Sequence, residues 1–528
     1  MEIAKIIINE ALKNNITTKK ELEELKRIMA EKYKKPLITQ TELLKAYHKL
    51  LENKSIKRNE VLEKILKTRP MRSLSGIVNI TVLTKPFGCP GRCIFCPFEK
   101  GFPKSYLKGE PAADRAFDLK YDPYLQVKKR LEMLKNQGHP IDKIELRIVG
   151  GSWSFYPKSY GRWFIKRCFE AANNFNNKRT RKNLSLEEVF KINEKSKARI
   201  VGVSIETRPD LINEEEIKRL RLLGVTMVEL GVQTVFDDIH QLNNTGLNNE
   251  IISRATFLLK EAGFKVLYHL MPNLYGSNFE KDLEMFDIVF NDERFKPDWL
   301  KIYPVVVLKN THLYQLWQEK KYRPYSDKEL KDLLIRAKIK MPYWVRIARV
   351  IRDIPAPKIV AGTKLSNLRE IIQREMKEKG LQCHCIRCRE VKENYNPKEK
   401  IYLFREDYQA SNGQEVFLSF ENKDRTRIFS LLRLRKPYFS IPPIFPALKD
   451  AALLREIKTY GELVPLSERK LAPQHRGLGK KLIEEAEQIT KKEFRLKKLA
   501  VIAGVGVRDY FRKLGYKLKD TYMVKKLD

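Results

Sequence analysis

No stretch of the 528 residues approaches the roughly 20 consecutive apolar side chains that cross a bilayer. A helical membrane protein is therefore not expected. The opening residues, Met1–Leu12, have helix-like apolar spacing broken by Glu2, Lys5 and Glu10, where a secretory signal would be continuously apolar. The chain reads as soluble and unexported, with the cytoplasm as its expected place. Cysteine is scarce: there are seven, an odd number, and six of them fall in two tight clusters. That distribution argues against a disulfide framework and for metal ligation in a reducing compartment. The seventh, Cys168, lies in the apolar stretch Trp163–Phe169 and reads as a buried helix residue. Acidic residues are also short, 66 against 104 Lys and Arg, leaving a formal charge of +38. Solubility needs far less, so a polyanionic partner is expected, nucleic acid first. A Lys- and Glu-rich surface suited to heat is the competing reading. An anionic membrane is disfavoured because no strongly apolar amphipathic face accompanies the charge. Internal repeats and low-complexity segments are absent too.

Three regions follow from the changes of pattern. Residues 1–75 are helical and basic, with Leu and Ile at spacings of three and four, an interruption near Pro36 and an end at Arg69-Pro70. Patches such as Lys32-Tyr33-Lys34-Lys35 suit phosphates, or else a solvated helical face. Residues 76–395 alternate short β-branched runs with helical stretches. The runs are Ile77–Thr84, Ile144–Gly150, Arg199–Glu206, Met227–Gln233, Val266–Met271 and Leu300–Val307. Six such alternations spell an α/β fold of parallel strands, a partial (β/α)6 barrel whose chemistry gathers at the C-terminal ends of its strands. Residues 396–528 change to adjacent strands, Glu415–Phe420, Arg427–Leu434 and Arg455–Val464, then a helix over about 477–494 and a strand at Leu499–Gly506. This is a separate mixed α/β unit.

Cys89, Cys93 and Cys96 are spaced by three and two residues. Three thiolates in that order wrap one corner of a [4Fe-4S] cluster and leave its fourth iron free for S-adenosylmethionine. A zinc site, the alternative, would want a fourth ligand nearby, and no further Cys or His follows locally. The stretch Gly88-Cys89-Pro90-Gly91-Arg92-Cys93-Ile94-Phe95-Cys96-Pro97 resembles the cysteine loop of the radical S-adenosylmethionine superfamily. Gly150-Gly151-Ser152 stands where that superfamily often has Gly-Gly-Glu, so by resemblance Gly150 and Gly151 approach the cofactor while the serine departs from the pattern. Glu206, Glu229 and Gln233 end later strands; they bind the cofactor's polar groups or simply cap the barrel.

Gln474-His475-Arg476-Gly477-Leu478-Gly479 is a second motif, whose glycines let backbone amides approach a pyrophosphate at the start of a helix. With the preceding strand, the following amphipathic helix and Arg508-Asp509-Tyr510-Phe511, the order resembles the GCN5-related N-acetyltransferase fold. Such folds hold a thioester between splayed strands, here Arg455–Tyr460 and Leu499–Gly506, with Tyr510 near the sulfur to protonate the leaving thiolate or else packed under the helix. No carboxylate is identifiable as the base an amine acetyltransferase needs. A third group, Cys383, Cys385 and Cys388 with His384, is dense enough for a structural zinc joining the two units, with His384 or a distant residue as fourth ligand. A reduced turn and a second redox cluster are the alternatives.

A radical unit followed by an acetyltransferase unit resembles the Elongator catalytic-subunit family. Its likeness covers almost the whole chain and includes Tyr121-Asp122-Pro123-Tyr124-Leu125-Gln126, Asp142-Lys143-Ile144-Glu145, Ile205-Glu206-Thr207-Arg208-Pro209-Asp210, Glu229-Leu230-Gly231-Val232-Gln233 and Arg352-Asp353-Ile354-Pro355. The resemblance implies a tRNA substrate gripped at its anticodon stem-loop, acetyl-CoA as donor and 5-carboxymethyluridine at the wobble position as product. It also implies acetyl-CoA contacts from catalytic Lys143 and Tyr510, from Glu456, Ile457, Lys458 and Thr459, from Gln474, Gly477, Leu478, Gly479 and Lys480, and from Phe511. Phe511 stands where many members have a second tyrosine. Nothing in the sequence requires Elongator-type accessory subunits, and a homodimer stays open. A protein lysine acetyltransferase with a structural iron-sulfur cluster is the competing function.

Overall fold

In this computed structural model, residues 2–67, 76–175, 183–392, 396, 398–461 and 477–528 are described. The expected helix end at Arg69-Pro70, the continuation of a strand to Val464, Gln474-His475-Arg476 and the expected boundaries at residues 75 and 395 lie outside them.

Four helices open the chain: Glu2–Lys13, Lys19–Lys32, Gln40–Glu52 and Glu60–Leu66. Two start with reciprocal caps, in which the Thr18 hydroxyl accepts from the Glu21 amide while the Glu21 carboxylate accepts from the Thr18 amide, and Thr39 and Glu42 repeat the arrangement. Their apolar stripes, including Ile7, Ile8, Leu22, Leu43 and Tyr47, bury into a small core of their own.

Seven parallel strands then form a curled half-barrel in the order β1-β2-β3-β4-β5-β6-β8. They are β1 (Ile77–Leu83), β2 (Lys143–Val149), β3 (Arg199–Thr207), β4 (Met227–Gln233), β5 (Lys265–Leu270), β6 (Trp299–Ile302) and β8 (Arg346–Arg349). The first six match the expected runs, with one change. Pro304, which has no amide hydrogen to donate, ends the sixth run early, and Val307–Leu308 (β7) instead pairs with Ile359–Ala361 (β9). The four-residue β8, flanked by arginines and with one β-branched residue, carries too little pattern to be read from sequence. Alternation along each strand sets what faces where. Val78, Ile80 and Val82 of β1 and Ile144, Leu146 and Ile148 of β2 are buried against the helical layer. Asn79, Thr81, Glu145 and Arg147 point the other way and line an interior cavity.

The C-terminal sheet runs β10-β11-β12-β13-β14-β16-β15. Its strands are β10 (Tyr402–Ala410), β11 (Gly413–Glu421), β12 (Ile428–Lys436), β13 (Ala452–Thr459), β14 (Lys498–Val501), β15 (Lys517–Lys519) and β16 (Tyr522–Lys526). β13 and β14 are the one parallel pair of this sheet, and their register ends at Leu454 opposite Val501. Beyond it the strands part. Leu432 and Leu434 of β12 pack against the helix Leu478–Lys492 through Leu482, Ile483 and Ala486. The intervening Arg433 and Arg435 face the base of the barrel and are fully buried.

That interface is ionic. Arg455 of β13 binds Asp298, just before β6, and Glu415 of β11, with Nη1 donating at 3.0 Å and 2.8 Å. Arg433 reaches Glu456 at 2.9 Å, Arg435 reaches Glu415 at 3.0 Å and Glu261 at 2.6 Å, and Lys260 lies 3.5 Å from Glu415. Backbones also meet. At Gly504, after β14, an added Cβ would fall 2.1 Å from the Val201 carbonyl oxygen of β3.

Candidate functional site

The cysteine loop leaves β1 at the C-terminal mouth of the half-barrel. Cys89, Cys93 and Cys96 line one cavity of about 700 Å³ with Gly151, Glu206, Glu229, Gln233 and, at its far end, Lys458 of β13. Gly150 sits behind the loop with φ +121°, where any Cβ would meet the Thr84 hydroxyl at 2.3 Å, so only glycine closes this turn. The Ser152 hydroxyl lies 3.6 Å from the Cys89 sulfur. Burial pushes the Cys96 thiol up to about 12 and raises Cys93 as well, the latter opposed by the Arg208 guanidinium. Thiols in such a place stay protonated unless a metal takes them as thiolates.

The two cysteine groups differ in spread. The sulfurs of Cys383, Cys385 and Cys388 lie within 4.8 Å of one another. That matches one tetrahedral ion, whose thiolates at about 2.3 Å from the metal stand about 3.8 Å apart. Cys89, Cys93 and Cys96 ring the cavity without converging so closely, which suits a multi-iron cube rather than a single ion. His384 stacks on Tyr343 with rings 4.6 Å apart, its backbone carbonyl accepting from Arg389, while Lys338 Nζ and Gln373 Nε2 each lie 3.5 Å from the Cys388 sulfur. The cluster stands at the joint of the two units. Ile386 bonds to the Val345 carbonyl before β8, and Val391 bonds to the Ile428 carbonyl of β12.

Below the cysteines the cavity wall is charged. Lys301 of β6 is clamped between Glu206, at 2.9 Å, and Glu229; His269 Nε2 lies 3.2 Å from Glu229, and the Tyr106 hydroxyl donates to Glu206 at 2.7 Å. Burial would raise both carboxyls, but Lys301 holds them below the usual range, and burial, which would lower the Lys301 ammonium, is outweighed by Glu229. Glu206, Glu229 and His269 converge closely enough for a metal, yet the Lys301 ammonium already fills the cation position between the carboxylates. Deeper still, burial would raise Glu145, while Arg147, Lys458, Lys265 and Arg346 hold it at about 2. Buried polar atoms of Arg147, Thr207, Glu229 and Gln233 face this space without a hydrogen-bond partner. Such orphans fit a polar cofactor.

The acyl motif occupies the other side of β13. Ideal Cβ geometry at Gly479 comes within 3.5 Å of the Thr459 hydroxyl, 3.8 Å of Ile457 and 3.9 Å of the Tyr510 hydroxyl. Gly477 caps the helix Leu478–Lys492 with φ +70° and open space around it. Burial, with Glu484 nearby, raises the Tyr510 phenol. Leu478 is buried, Lys480 is on the surface beside Glu484 at 3.5 Å, and Phe511 is packed in the core against Tyr516. Glu456 belongs to the interface, reaching Arg433 and Lys265. Lys143, first residue of β2 opposite Arg199, is half-buried at the barrel end that meets the Gly504 turn. Arg147, Arg208, His269 and Lys301 were missed from sequence. For Arg147, His269 and Lys301 the signal is charge at alternate positions in otherwise apolar strand runs; Arg208 follows β3 in the turn before Pro209 and carries no such signal.

A cysteine loop opening a parallel half-barrel makes this a radical S-adenosylmethionine fold, and the comparisons agree. The radical SAM superfamily matches residues 83–289 and the Radical_SAM C-terminal domain residues 297–378. Relatives define it further. The chain is 44% identical over 493 residues to a tRNA uridine(34) acetyltransferase of Methanocaldococcus infernus, covering 90% of this chain and 91% of that one. It is 38% identical over 485 residues to Elongator complex protein 3 of Homo sapiens, covering 89% and 87%. The solved structure of archaeal Methanocaldococcus infernus Elp3 with an N-terminal deletion (1–46) superposes with a TM-score of 0.75 at 41% identity, covering 86% of this chain and all of that one. The chain belongs to the Elongator complex protein 3 family and is a radical S-adenosylmethionine transferase.

Proposed function

We propose that this chain carboxymethylates C5 of the wobble uridine, uridine 34, of tRNA, with acetyl-CoA as the donor. The observation that carries the reading is that β13 is a shared wall. Lys458 turns toward the cavity that holds the cysteines, while Ile457 and Thr459 turn toward Gly479 and Tyr510. A thioester lodged where β13 and β14 part would then stand one strand away from the radical site. Carbon 5 of uracil is too weak a nucleophile for ordinary acyl transfer, so both halves are needed.

Cys89, Cys93 and Cys96 would hold the [4Fe-4S] cluster, and Gly151, Thr207 and Gln233 would face S-adenosylmethionine. When bound, these groups supply a carbon-centred radical able to take hydrogen from the acetyl methyl. The chain's own residues do the rest. Lys301, fixed between Glu206 and Glu229, keeps a permanent cation in the wall, and Arg147 brings an unsatisfied Nε for an acceptor oxygen. Tyr510, whose phenol stays protonated at neutral pH, is placed to donate to the leaving thiolate. Lys143 would contact acetyl-CoA from the base of β2. One zinc on Cys383, Cys385 and Cys388 would pin the joint, with Lys338 offsetting the thiolate charge. No described helix is long and apolar enough to cross a membrane, and a cytoplasmic location fits the proposed tRNA substrate.

The test is anaerobic incubation of reconstituted protein with S-adenosylmethionine, acetyl-CoA, a reductant and total tRNA, followed by nucleoside mass spectrometry. The expected product is 5-carboxymethyluridine that requires both cofactors and Cys93. Lysine acetylation with no modified uridine, unchanged in Cys93→Ala, would overturn the reading.

A further inference from the structure

Beside the cysteine loop, aromatic rings run outward across the barrel rim in an unbroken series. Phe87, two residues before Cys89, lies 5.9 Å from Phe155 and stacks on Tyr156 at 4.9 Å. Tyr156 stacks on Tyr160 at 5.1 Å, and Tyr160 lies 5.6 Å from Trp163. The ladder is anchored from beneath. The Tyr156 hydroxyl donates to the Lys85 carbonyl at 2.7 Å, and the Tyr160 hydroxyl accepts from the Lys85 amide at 3.0 Å. Phe87, Phe155 and Trp163 nevertheless remain 39–43% exposed. Three large rings exposed to water, grouped beside the cysteine loop that lines the cavity, are not what solubility selects.

Charge identifies what they face. Lys85 Nζ sits 5.0 Å above the Tyr160 ring, and among the described residues neither Lys85 nor Arg92 of the cysteine loop has a carboxylate partner. Exposed rings with one cation lying over their ladder and a second in the adjoining loop, neither neutralised by a carboxylate, suit a single-stranded nucleic-acid platform, because every base has a stackable face and every nucleotide a phosphate. A protein partner with an apolar face would leave those cations buried and unmatched.

We propose that Phe87, Phe155 and Trp163 stack the unpaired nucleotides that flank the base entering the cavity, so that the rim selects a loop over a duplex. This rests on the tRNA reading above. A cavity of about 700 Å³ has room for one base beside its cofactor, so the neighbours of that base lie at the rim. Stacking holds them there without reading their identity.

The experiment uses the full chain with Phe87→Leu, Phe155→Leu and Trp163→Leu, singly and together; leucine keeps apolar bulk and removes the ring face. Binding is measured to an anticodon stem-loop RNA carrying 2-aminopurine beside the uridine, and to a blunt duplex, at one salt concentration. The triple variant is expected to lose about ten- to a hundredfold in loop affinity, from the known range for base stacking, together with the 2-aminopurine quench. Duplex affinity and melting temperature should stay as in the wild type. Unchanged loop affinity and quench would make the patch a protein-docking face and overturn the proposal, as would equal losses for loop and duplex. If wild-type protein modifies uridine while the variants bind normally, the rim proposal alone falls. If wild-type protein shows no affinity for the loop at all, the tRNA reading falls with it.

Discussion

Replacing Arg455 by methionine should loosen the joint between the half-barrel and the C-terminal sheet far more than any surface change. Its guanidinium is fully buried and donates to Asp298 from the barrel side, to Glu415 of β11 and to the Phe264 carbonyl at 2.7 Å. The surrounding network sets five cations, Lys260, Lys265, Arg433, Arg435 and Arg455, against four carboxylates, Glu261, Asp298, Glu415 and Glu456. Methionine fills the volume but leaves a carboxylate buried without its partner, which costs about 3–5 kcal/mol. At about 2–4 °C per kcal/mol for a unit of 150–250 residues, the melting temperature should fall by about 6–20 °C. Arg162→Met, at a pair with Glu187 in which both side chains are more than half exposed, provides the contrast, with at most about 1 kcal/mol lost.

The pH dependence separates this cause from simple loss of packing. Burial would raise Asp298, but Arg455, Lys260 and Arg433 hold it well below the usual carboxylate range. A depressed folded value gives stability that is present above the unfolded value of about 3.9 and is lost as pH falls through the folded one. In the variant most of that contribution is gone. Scanning fluorimetry should therefore show the widest gap between wild type and variant near neutrality, narrowing below about pH 4. A gap of the same size at pH 7 and at about pH 2.5, or a fall under 3 °C, would refute the ionic account.

Three further outcomes follow from other places in the fold. Gly504→Ala should undock the sheet by driving a Cβ into the backbone of Val201, costing about 1–3 kcal/mol or more and opening new sites to limited proteolysis; Gly380→Ala, with φ +66° and nothing within 4 Å, should cost about 1 kcal/mol and open none. Elemental analysis should find one zinc per chain that survives Cys93→Ala and disappears in Cys385→Ser with a drop in melting temperature, and loss of zinc in Cys93→Ala instead would reverse the assignment of the two clusters. Glu145, held at about 2, should contribute about 3 kcal/mol above pH 4.5 that fades as the pH falls toward 2, so Glu145→Gln should flatten the acid limb of the stability curve; an unchanged limb would mean Glu145 is not ion-paired in solution.

What sequence shows of this molecule divides by range. Cys89, Cys93 and Cys96 are legible because their spacing is local, and so are the Gly-rich turn before Leu478 and the β-branched runs of β1 to β5. Arg433, Arg435 and Arg455 are not. Charge inside a strand ordinarily marks a solvent face, and only the docking of Asp298 and Glu261 from the barrel turns it into a buried network. Glu145, Arg147, His269 and Lys301 escaped for a related reason. Each interrupts an apolar run at an alternate position, but alternation alone does not say whether the second face meets water or a cavity. Glu206 and Glu229 read from sequence as strand-end groups, but Glu229 is the third residue of β4, and their tie to Lys301 links β3, β4 and β6, a relation no local window contains.

The two charge systems obey opposite rules, and the difference bears on catalysis. At the interface five cations meet four carboxylates and nearly all are enclosed, so the network resists change and fixes β13 against the barrel. Around the cavity ten Lys and Arg side chains face five Asp and Glu. That excess is stable only with water or anionic ligands present, and the carboxylate of S-adenosylmethionine and the phosphates of a nucleotide supply such charge. In the proposed reaction a rigid wall and an anion-seeking cavity belong together, because the two substrates it requires would meet across β13 with little error. A displacement of about 1 Å between reacting groups is enough to cost a hundredfold in rate. Breaking the interface at Arg455 should therefore depress formation of modified uridine even below its melting transition, while cleavage of S-adenosylmethionine at the barrel mouth, which does not depend on the position of β13, persists. Equal loss of both activities at a temperature where the variant is folded would show that β13 does not set the meeting point.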